Sequence, residues 1–479
     1  MLLLLMALLG LYIPNLGRSG LLGPDEPRYA SIGRAMAHTH DFVTPKLDGQ
    51  PWFEKPPLTY WLTALGHSIG LTDEWAARLP QALLSVAFLL FFFAVVWREF
   101  SWTTALSATL ILATSAGWLA YSFAALTDLP MAVALNTAVL LTLEQKRDWR
   151  SWLIGICLGM AILAKGFVPV VLYAPVLLFG RWGRPGANHN RATVTLVVFA
   201  VGAPWFVLNL MRNGSAFWND FFWKQHVERF FSPTIEHVQP FWFYFPVLLG
   251  GLFPWTPLAG LLFRSQTYRD LRIVSLAMWV LYGFVFFSLS RNKLPGYLLP
   301  LMPALAIVLA QGLEAHSVDR LGRRRHWLMG GWLAACAGLL ILLPAAADLL
   351  PDALLSGLSR TSFKFASSGL IFLAAGLLAL WLTRNGLFSA AVVCVALAAA
   401  GGVLYLKYST LPALDRLVSV RAFWKGTGGT GICIDNVKRS WEYGLNYYAG
   451  HALPTCTGAD PLPSRIVVRD GRLSLGASE

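Results

Sequence analysis

Hydrophobic residues occur along the chain in long runs that short polar segments separate. An α-helix needs about twenty apolar residues to cross the ~30 Å hydrocarbon core of a bilayer. The pattern therefore predicts an all-α polytopic membrane protein with about thirteen transmembrane helices. The predicted runs are 2–16, 79–97, 102–122, 126–143, 151–164, 167–180, 192–211, 241–263, 271–289, 295–313, 327–346, 366–383 and 386–406.

The first run, "MLLLLMALLGLYIPNL", has no basic segment before it and no small-residue cleavage site after it. A secretory signal peptide has both features. We therefore expect a retained and rather short first span.

Arginine and lysine are concentrated in alternate short loops, which the positive-inside rule assigns to the cytoplasm. With an odd number of spans, the N-terminus is predicted in the cytoplasm. The first loop (residues 17–78) and the tail after Lys407 are predicted outside, in the periplasm if the inner membrane of a bacterium holds the chain. The basic residues that carry this prediction are Lys146, Arg147, Arg181, Arg264 and Arg323 to Arg325.

Composition agrees with the membrane class, since 56% of residues are hydrophobic and only 13% are charged. The net charge of +13 would suggest nucleic acid as the partner of a soluble protein. Arginine-rich cytoplasmic loops and a few cationic site residues explain the charge more simply here. The expected partner is the lipid bilayer, and no nucleic acid is implied.

The last segment, 407–479, differs from the rest because "GICIDN" and "SRIVVRDGRL" alternate like short strands, while "RSWEYGLNYYAG" fits a helix or a turn. We predict a transmembrane domain over 1–406 and a small periplasmic α/β domain over 407–479. Cys433 and Cys456 are the two cysteines on the predicted outside, so a disulfide between them is expected.

The first loop contains "GPDEPRYASIGRAM", with Asp25 and Glu26 followed by Arg28. Asp25 can cap a helix whose first turn holds Pro27. Tyr29, Ile32 and Met36 would then share one face, which predicts an amphipathic helix on the membrane surface. Glu26 and Arg34 are expected to hold that helix in place. The alternative is that the carboxylates only cap a solvated helix.

Further charges follow at the predicted outer ends of the spans. In "LDGQPWFEKPPLTYW", Pro56 restricts Lys55 to an extended conformation. Each charge alone fits a solvated helix end, but together they suit the phosphate of a lipid whose tail stays in the bilayer. His226 and His237 lack the spacing of a metal site. Besides Lys55, the residues of this predicted phosphate-binding group are Glu54, Asp128, His226, Arg229, Lys293 and Tyr297.

These motifs resemble the aminoarabinose transferase branch of the GT-C glycosyltransferases, which is related to the protein O-mannosyltransferases. The resemblance rests on "GPDEPRYASIGRAM", "LDGQPWFEKPPLTYW", Thr127 with Asp128, "HVERF" and "NKLPGYLLP". It implies a GT-C-like fold that moves a sugar from a polyprenyl-phosphate donor to an acceptor on the outer face of the inner membrane. The acceptor would be lipid A or another envelope glycolipid or protein.

The resemblance also implies roles for individual residues. Asp25 and Asp128 would be catalytic, with Asp25 as the base or acceptor-orienting group. Glu54 and His226 match positions that lie near a divalent cation in some relatives, although no cofactor is required. The substrate-binding residues would be Glu26, Arg28, Tyr29, Lys55, Arg229, Lys293 and Tyr297.

The chemistry of such a transfer fits a cationic site. A polyprenyl phosphate is a good leaving group, so the main requirement is to stabilise its growing negative charge. A hydroxyl acceptor would need a carboxylate base, whereas a phosphate acceptor would not. The rival hypothesis is a flippase or transporter without covalent chemistry. Transporters place ionisable residues near the bilayer midplane, and here only Lys165 is a candidate, expected near an outer helix end.

Overall fold

The computed structural model describes residues 1–143, 148–179, 190–228, 238–317, 323–356, 367–427, 431–456, 464–469 and 472–477. Most of these residues are helical, as the apolar runs predict. The helices before residue 228 are α1 (Leu2–Tyr12), α2 (Asp25–Thr39), α3 (Leu58–Ser68), α4 (Asp73–Glu99), α5 (Trp102–Thr114), α6 (Ala116–Ser122), α7 (Asp128–Leu143), α8 (Asp148–Lys165), α9 (Val168–Phe179), α10 (Arg191–Phe217) and a π-helix (Trp218–Glu228).

The second half continues with helices of similar length. Short 3₁₀ helices at Thr256–Phe263 and Pro295–Leu301 connect some of them. The α-helices are α11 (Tyr244–Gly251), α12 (Leu271–Leu289), α13 (Met302–Ser317), α14 (Arg323–Leu339), α15 (Leu343–Ser356), α16 (Ile371–Arg384), α17 (Phe388–Leu417), α18 (Val420–Thr427) and α19 (Arg439–Ala449).

Within the described residues, seven helices are long and apolar enough to cross a membrane, or up to nine if each of two bent pairs is one span. Three shorter apolar helices, Leu2–Tyr12, Asp128–Leu143 and Val168–Leu177, accompany them. The chain is thus a multi-pass membrane protein, as predicted. The count of about thirteen spans stays a prediction.

Two predicted spans are bent. In 102–122 the axes of α5 and α6 meet at 61°, where Ser115 is extended. In 241–263 the bend is 116°, and Pro254 lies at the break between the two helices. Proline has no N–H to continue a helical hydrogen-bond ladder. Apolar periodicity alone could not reveal either bend, because both halves of each run are hydrophobic.

The C-terminal unit (residues 420–477) contains the expected α/β elements. Strand β3 (Ile432–Ile434) pairs in parallel with β4 (Ser464–Arg469), and β4 pairs antiparallel with β5 (Arg472–Ala477). Cys433 and Cys456 form a disulfide, as expected. Helix α17 runs on to Leu417, so the predicted boundary at 406 falls inside a helix.

A two-stranded ribbon, β1 (Lys46–Leu47) with β2 (Gln50–Pro51), lies between α2 and α3 in the first loop. Four hydrogen bonds tie the residues before this ribbon to α10. Trp205 and Asn209 both donate to the Val43 carbonyl, at 3.0 and 2.7 Å. Arg212 pairs with Asp41 at 2.8 Å, and Asn213 donates to Thr44 at 2.9 Å. The first loop is therefore fixed on the helical bundle.

Helix α2 is held to the start of α4 by a buried ion pair. Both nitrogens of one edge of the Arg78 guanidinium contact Glu26, at 2.6 and 2.7 Å. Arg78 also donates to the carbonyls of Leu16, Ser19 and Gly20, at 2.7–2.9 Å. Both side chains are about 5% exposed. Glu26 thus holds the surface helix, as one of its two predicted roles requires.

Arg78→Met should therefore destabilise the folded protein by about 3–5 kcal/mol, since it leaves the Glu26 carboxylate buried without its partner. Thermal unfolding in detergent measures this change. Lys224→Met is the matched control, because Lys224 forms an exposed pair with Asp220 at 3.5 Å and exposed pairs contribute little. Equal unfolding temperatures for the two variants would contradict the buried-pair argument.

Candidate active site at the ends of the helices

The site begins at the N-terminus of α2. The helix starts at Asp25 itself and has Pro24 as its N-cap, with no side-chain capping bond. The expectation that Asp25 caps the helix is therefore wrong, because its carboxylate is held by Arg28 one turn later. The amphipathic prediction is confirmed, since Tyr29, Ile32 and Met36 are all buried on one face.

Four charged side chains of the first loop follow one another in alternating sign. Asp25 pairs with Arg28, whose other terminal nitrogen contacts Glu54 at 2.8 Å. The second oxygen of Glu54 lies 3.4 Å from the Lys55 ammonium. The Asp25 side chain is 41% exposed and that of Arg28 only 7%. Asp25 is thus the solvent-facing end of this charge row, and Lys55 is the other end.

Burial alone would lower the pKa of Arg28. Glu54, Tyr29 and Asp25 oppose this effect, so the net pKa of Arg28 is raised above its ordinary value. Burial raises the pKa of Tyr29 and of Tyr60 well above the ordinary range, and Glu54 adds to both shifts. At neutral pH the row thus keeps a charged guanidinium beside two protonated phenols.

Three aromatic rings surround the Arg28 guanidinium. Tyr29 and Trp52 of the first loop lie 5.6 and 5.4 Å from its central carbon. Tyr443 of the C-terminal unit lies at 5.4 Å. We call these three rings the aromatic cage. Each distance is within the range at which an aromatic face attracts a cation.

A second ion pair joins α7 to α8. Asp128 is the first residue of α7, and it pairs with Lys165, the last residue of α8. The Lys165 ammonium lies 4.6 Å from the centre of the Tyr297 ring. Lys165 thus lies at a helix end, as expected. Gly296 and Tyr297 of the "KLPGY" segment lie beside the pair.

Gly296 allows this close approach. A Cβ atom there would meet Asp128 Oδ1 at 2.5 Å and the Tyr121 hydroxyl at 2.7 Å. Both distances are shorter than real contacts permit, so a larger residue would have to push Asp128 or Tyr121 aside. A sequence reading identifies the glycine in "LPGY" but not this reason for it.

A cavity of 360 Å³ joins the two charged groups. One part of its wall is polar, with Glu54, Lys55, Lys165, Gln225, Ser290, Asn292 and Tyr297. The rest is apolar and is formed by Pro56, Met131, Val168, Phe221, Phe286, Phe287 and Leu289. Two ammonium groups beside an apolar wall can accept an amphiphile with an anionic headgroup.

Some predicted residues do not line this cavity. Lys293 is buried, and its ammonium donates to the carbonyls of Gln239, at 3.2 Å, and Ser290. Burial lowers the pKa of Lys293 below its ordinary value. Arg34 donates to the Tyr447 carbonyl at 2.7 Å, consistent with its predicted role in holding α2. Arg229 and the side chain of His226 lie outside the described residues.

The predicted metal position is not supported by the geometry of Glu54. That carboxylate contacts both Arg28 and Lys55, so a divalent cation would have to displace them. Among the described residues, no three His, Cys, Asp or Glu side chains form a group that could hold a metal ion. The cation prediction that pairs Glu54 with His226 stays untested.

Sequence reasoning gave no role to three residues of the site. Lys165 was visible as a lone charge at the end of an apolar run. Asn292 lines the cavity, and its side-chain oxygen Oδ1 is buried with no hydrogen-bond donor among the described residues. Tyr443 lies more than four hundred residues from Arg28 in a tyrosine-rich helix. No local pattern could connect it with Arg28.

The architecture defines a class, the membrane proteins with a GT-C fold. The family model "Dolichyl-phosphate-mannose-protein mannosyltransferase" matches residues 54–218. The solved structure of ArnT from Cupriavidus metallidurans bound to undecaprenyl phosphate superposes with a TM-score of 0.75 at 26% identity, over 96% of this chain and 86% of that one. An oligosaccharyltransferase from Archaeoglobus fulgidus shares the fold alone, with a TM-score of 0.52 at 14% identity, over 95% of this chain and 63% of that one.

Curated relatives carry the name undecaprenyl phosphate-alpha-4-amino-4-deoxy-L-arabinose arabinosyl transferase. The protein from Pseudomonas aeruginosa strain LESB58 is 32% identical over 65% of this chain and 59% of its own length. The protein from Erwinia tasmaniensis is 32% identical over 70% of this chain and 63% of its own length. The chain thus spans about three-fifths of the curated relatives it matches. The predicted resemblance is confirmed: the chain is similar in sequence to the aminoarabinose transferases and shares the GT-C fold.

Gly296→Ala should lower the stability of the protein by about 1–3 kcal/mol, the usual penalty of overpacking, because the new methyl group displaces Asp128 or Tyr121. Gly250→Ala is the matched control, since a Cβ at Gly250 meets nothing within 4 Å. Thermal unfolding of both variants in the same detergent makes the comparison. If Gly296→Ala unfolds no earlier than Gly250→Ala, the close approach to Asp128 is not a constraint.

Proposed function

We propose that the chain is an integral membrane glycosyltransferase that moves a sugar from a polyprenyl-phosphate donor to an envelope acceptor. The observation that carries the proposal is the cavity, whose wall combines Lys55 and Lys165 with an apolar part. The relatives' name, an arabinosyl transferase acting with undecaprenyl phosphate, supports this class of donor. The ArnT neighbour was solved with undecaprenyl phosphate bound.

The two lysines would hold the donor phosphate. An ammonium is a compact point charge that can contact several phosphate oxygens. As the bond between the anomeric carbon and the phosphate oxygen breaks, negative charge grows on that oxygen, and fixed cations stabilise it. Arg28 supports Lys55 through Glu54, at 2.8 and 3.4 Å on the two sides of the carboxylate. The apolar wall would receive the first part of the polyprenyl tail.

Asp25 and Asp128 differ in what they can do. Asp128 is tied to Lys165 and sits beneath Gly296, so its expected task is to position that lysine. The Asp25 side chain is 41% exposed, which leaves room for an acceptor beside it. We assign the general base to Asp25 when the acceptor is a hydroxyl, since only a hydroxyl loses a proton in the transfer.

The acceptor we propose is lipid A or another envelope glycolipid or protein. The proposed location is the inner membrane, with the N-terminus in the cytoplasm and with the first loop and the C-terminal unit in the periplasm. The alternation of basic loops supports this orientation. A disulfide in the C-terminal unit agrees with an oxidising compartment. The flippase alternative has no specific observation in its favour.

Lys55→Met should reduce sugar transfer at least tenfold and weaken the binding of undecaprenyl phosphate, because one charge-assisted phosphate contact is worth about 1.5–3 kcal/mol. Glu54 keeps Arg28 as its partner in this variant, so folding should be unaffected. Transfer from undecaprenyl-phosphate-linked aminoarabinose to lipid A, followed by mass spectrometry, measures the effect.

The matched control for this test is Lys425→Met, which removes an exposed lysine of α18. It should transfer sugar at the wild-type rate. Full activity in Lys55→Met would remove the phosphate role from Lys55. A wild-type protein that transfers no sugar between any donor and acceptor offered would contradict the proposed function itself.

Asp25→Asn distinguishes the two classes of acceptor, since it keeps the size of the side chain and removes its basicity. With a hydroxyl acceptor, turnover should be almost lost while undecaprenyl phosphate still binds. With a phosphate acceptor, the defect should be milder. Parallel assays with lipid A and with a hydroxyl acceptor measure both rates. Undiminished turnover of a hydroxyl acceptor would show that Asp25 is not the base.

A further inference from the structure

The C-terminal unit reaches the charge row of the first loop through one face of α19. Tyr443, Asn446 and Tyr447 lie three and four residues apart, so they share that face. Asn446 donates to Asp48 at 3.1 Å. The Tyr447 carbonyl accepts from Arg34 at 2.7 Å, and the Tyr447 ring lies 4.1 Å from the Arg34 guanidinium. These contacts hold Tyr443 against Arg28.

The side chain of Arg28 depends on this contact for its orientation. Its Nε–H is buried and has no hydrogen-bond acceptor among the described residues. The two carboxylates fix the terminal nitrogens, and the aromatic cage fixes the plane of the guanidinium. Two rings of the cage belong to the first loop, and Tyr443 supplies the third.

Arg28 is connected with the cavity wall through two contacts of Glu54. Arg28 holds one oxygen of Glu54 at 2.8 Å, and the other oxygen holds Lys55 at 3.4 Å. Glu54 and Lys55 both line the cavity. If Arg28 turns away, Glu54 loses that partner, and the carboxylate that contacts Lys55 is no longer held by the guanidinium.

We propose that Tyr443 is a positioning residue, through which the docked C-terminal unit fixes Arg28, Glu54 and Lys55 for the donor phosphate. This inference rests on the proposed function for its ligand. Tyr443 itself does not line the cavity, so it acts through Arg28 and not by touching the donor. The C-terminal unit thereby becomes part of the donor site.

The test compares two substitutions at one position. Tyr443→Ala removes the ring, whereas Tyr443→Phe keeps the ring and removes only the hydroxyl that accepts from Arg439 at 2.8 Å. The cation–π contact at a desolvated site predicts that Tyr443→Ala binds undecaprenyl phosphate about fivefold or more weakly, with kcat lowered by a similar factor. Tyr443→Phe should bind and turn over within about twofold of wild type.

Tyr408→Ala is the control, since it deletes an exposed ring of α17. It should leave the affinity for undecaprenyl phosphate and kcat unchanged. Unfolding temperatures are recorded for every variant. A merely structural role would lower the unfolding temperature of Tyr443→Ala and leave the affinity of the folded protein for undecaprenyl phosphate unchanged, which would overturn the proposal. A Tyr443→Phe variant as defective as Tyr443→Ala would also overturn it, because the ring would then not be the active element.

The binding measurement separates this proposal from the proposed function, because binding requires no turnover. A wild type that binds undecaprenyl phosphate but transfers no sugar would contradict the transferase function, and the affinities would still decide the role of Tyr443. A wild type that transfers sugar, together with an unchanged Tyr443→Ala, would overturn only the positioning role. A wild type that binds no undecaprenyl phosphate would overturn both.

Discussion

The pair between Glu26 and Arg78 is the interaction on which the rest of the site depends. It joins the first turn of the surface helix to the first turns of a long apolar helix, at the level where the loop meets the bundle. Arg78 also donates hydrogen bonds to the carbonyls of Leu16, Ser19 and Gly20, in the segment before α2. Such a buried pair is costly unless its hydrogen bonds are satisfied, and here Glu26 also accepts from Leu22 and Ala125. This pair fixes the first turn of α2, from which the Arg28 side chain extends.

Alternating charge is what allows so many ionised groups to lie near one apolar cavity. An isolated buried charge is expensive, whereas a row of opposite charges neutralises itself locally. The row from Asp25 to Lys55 begins with an exposed carboxylate and ends with an ammonium in the cavity wall. The Asp128–Lys165 pair likewise places an ammonium in the cavity wall, next to its neutralising carboxylate. In both arrangements each lysine of the wall is paired with a carboxylate, Glu54 for Lys55 and Asp128 for Lys165.

Patterns of neighbouring residues in the sequence predicted those features that depend only on neighbouring residues. The face formed by Tyr29, Ile32 and Met36, the short strands of the C-terminal unit and the cysteine pair all follow from spacing, alternation or compartment. The residues of the cavity were found only in part, because a charge's role depends on its partner. Lys293 has the expected type and place, yet backbone carbonyls bind it. The role of Tyr443 depends on a contact distant in sequence. The bends at Ser115 and Pro254 lie inside continuous apolar runs, where periodicity gives no signal.

The composition of the cavity wall favours group transfer from a phosphate leaving group. Transfer from a phosphate leaving group needs cations at the phosphate and, for hydroxyl acceptors alone, one base. The wall has two lysines and one carboxylate that is already bound by cations. Tyr29 and Tyr60 stay protonated beside them, since burial raises the pKa of each phenol. The exposed carboxylate, Asp25, lies at the opposite end of the row. Under the proposed function, the lysines would face the leaving group and Asp25 would face the acceptor, so one alternating row of charges would separate the two tasks.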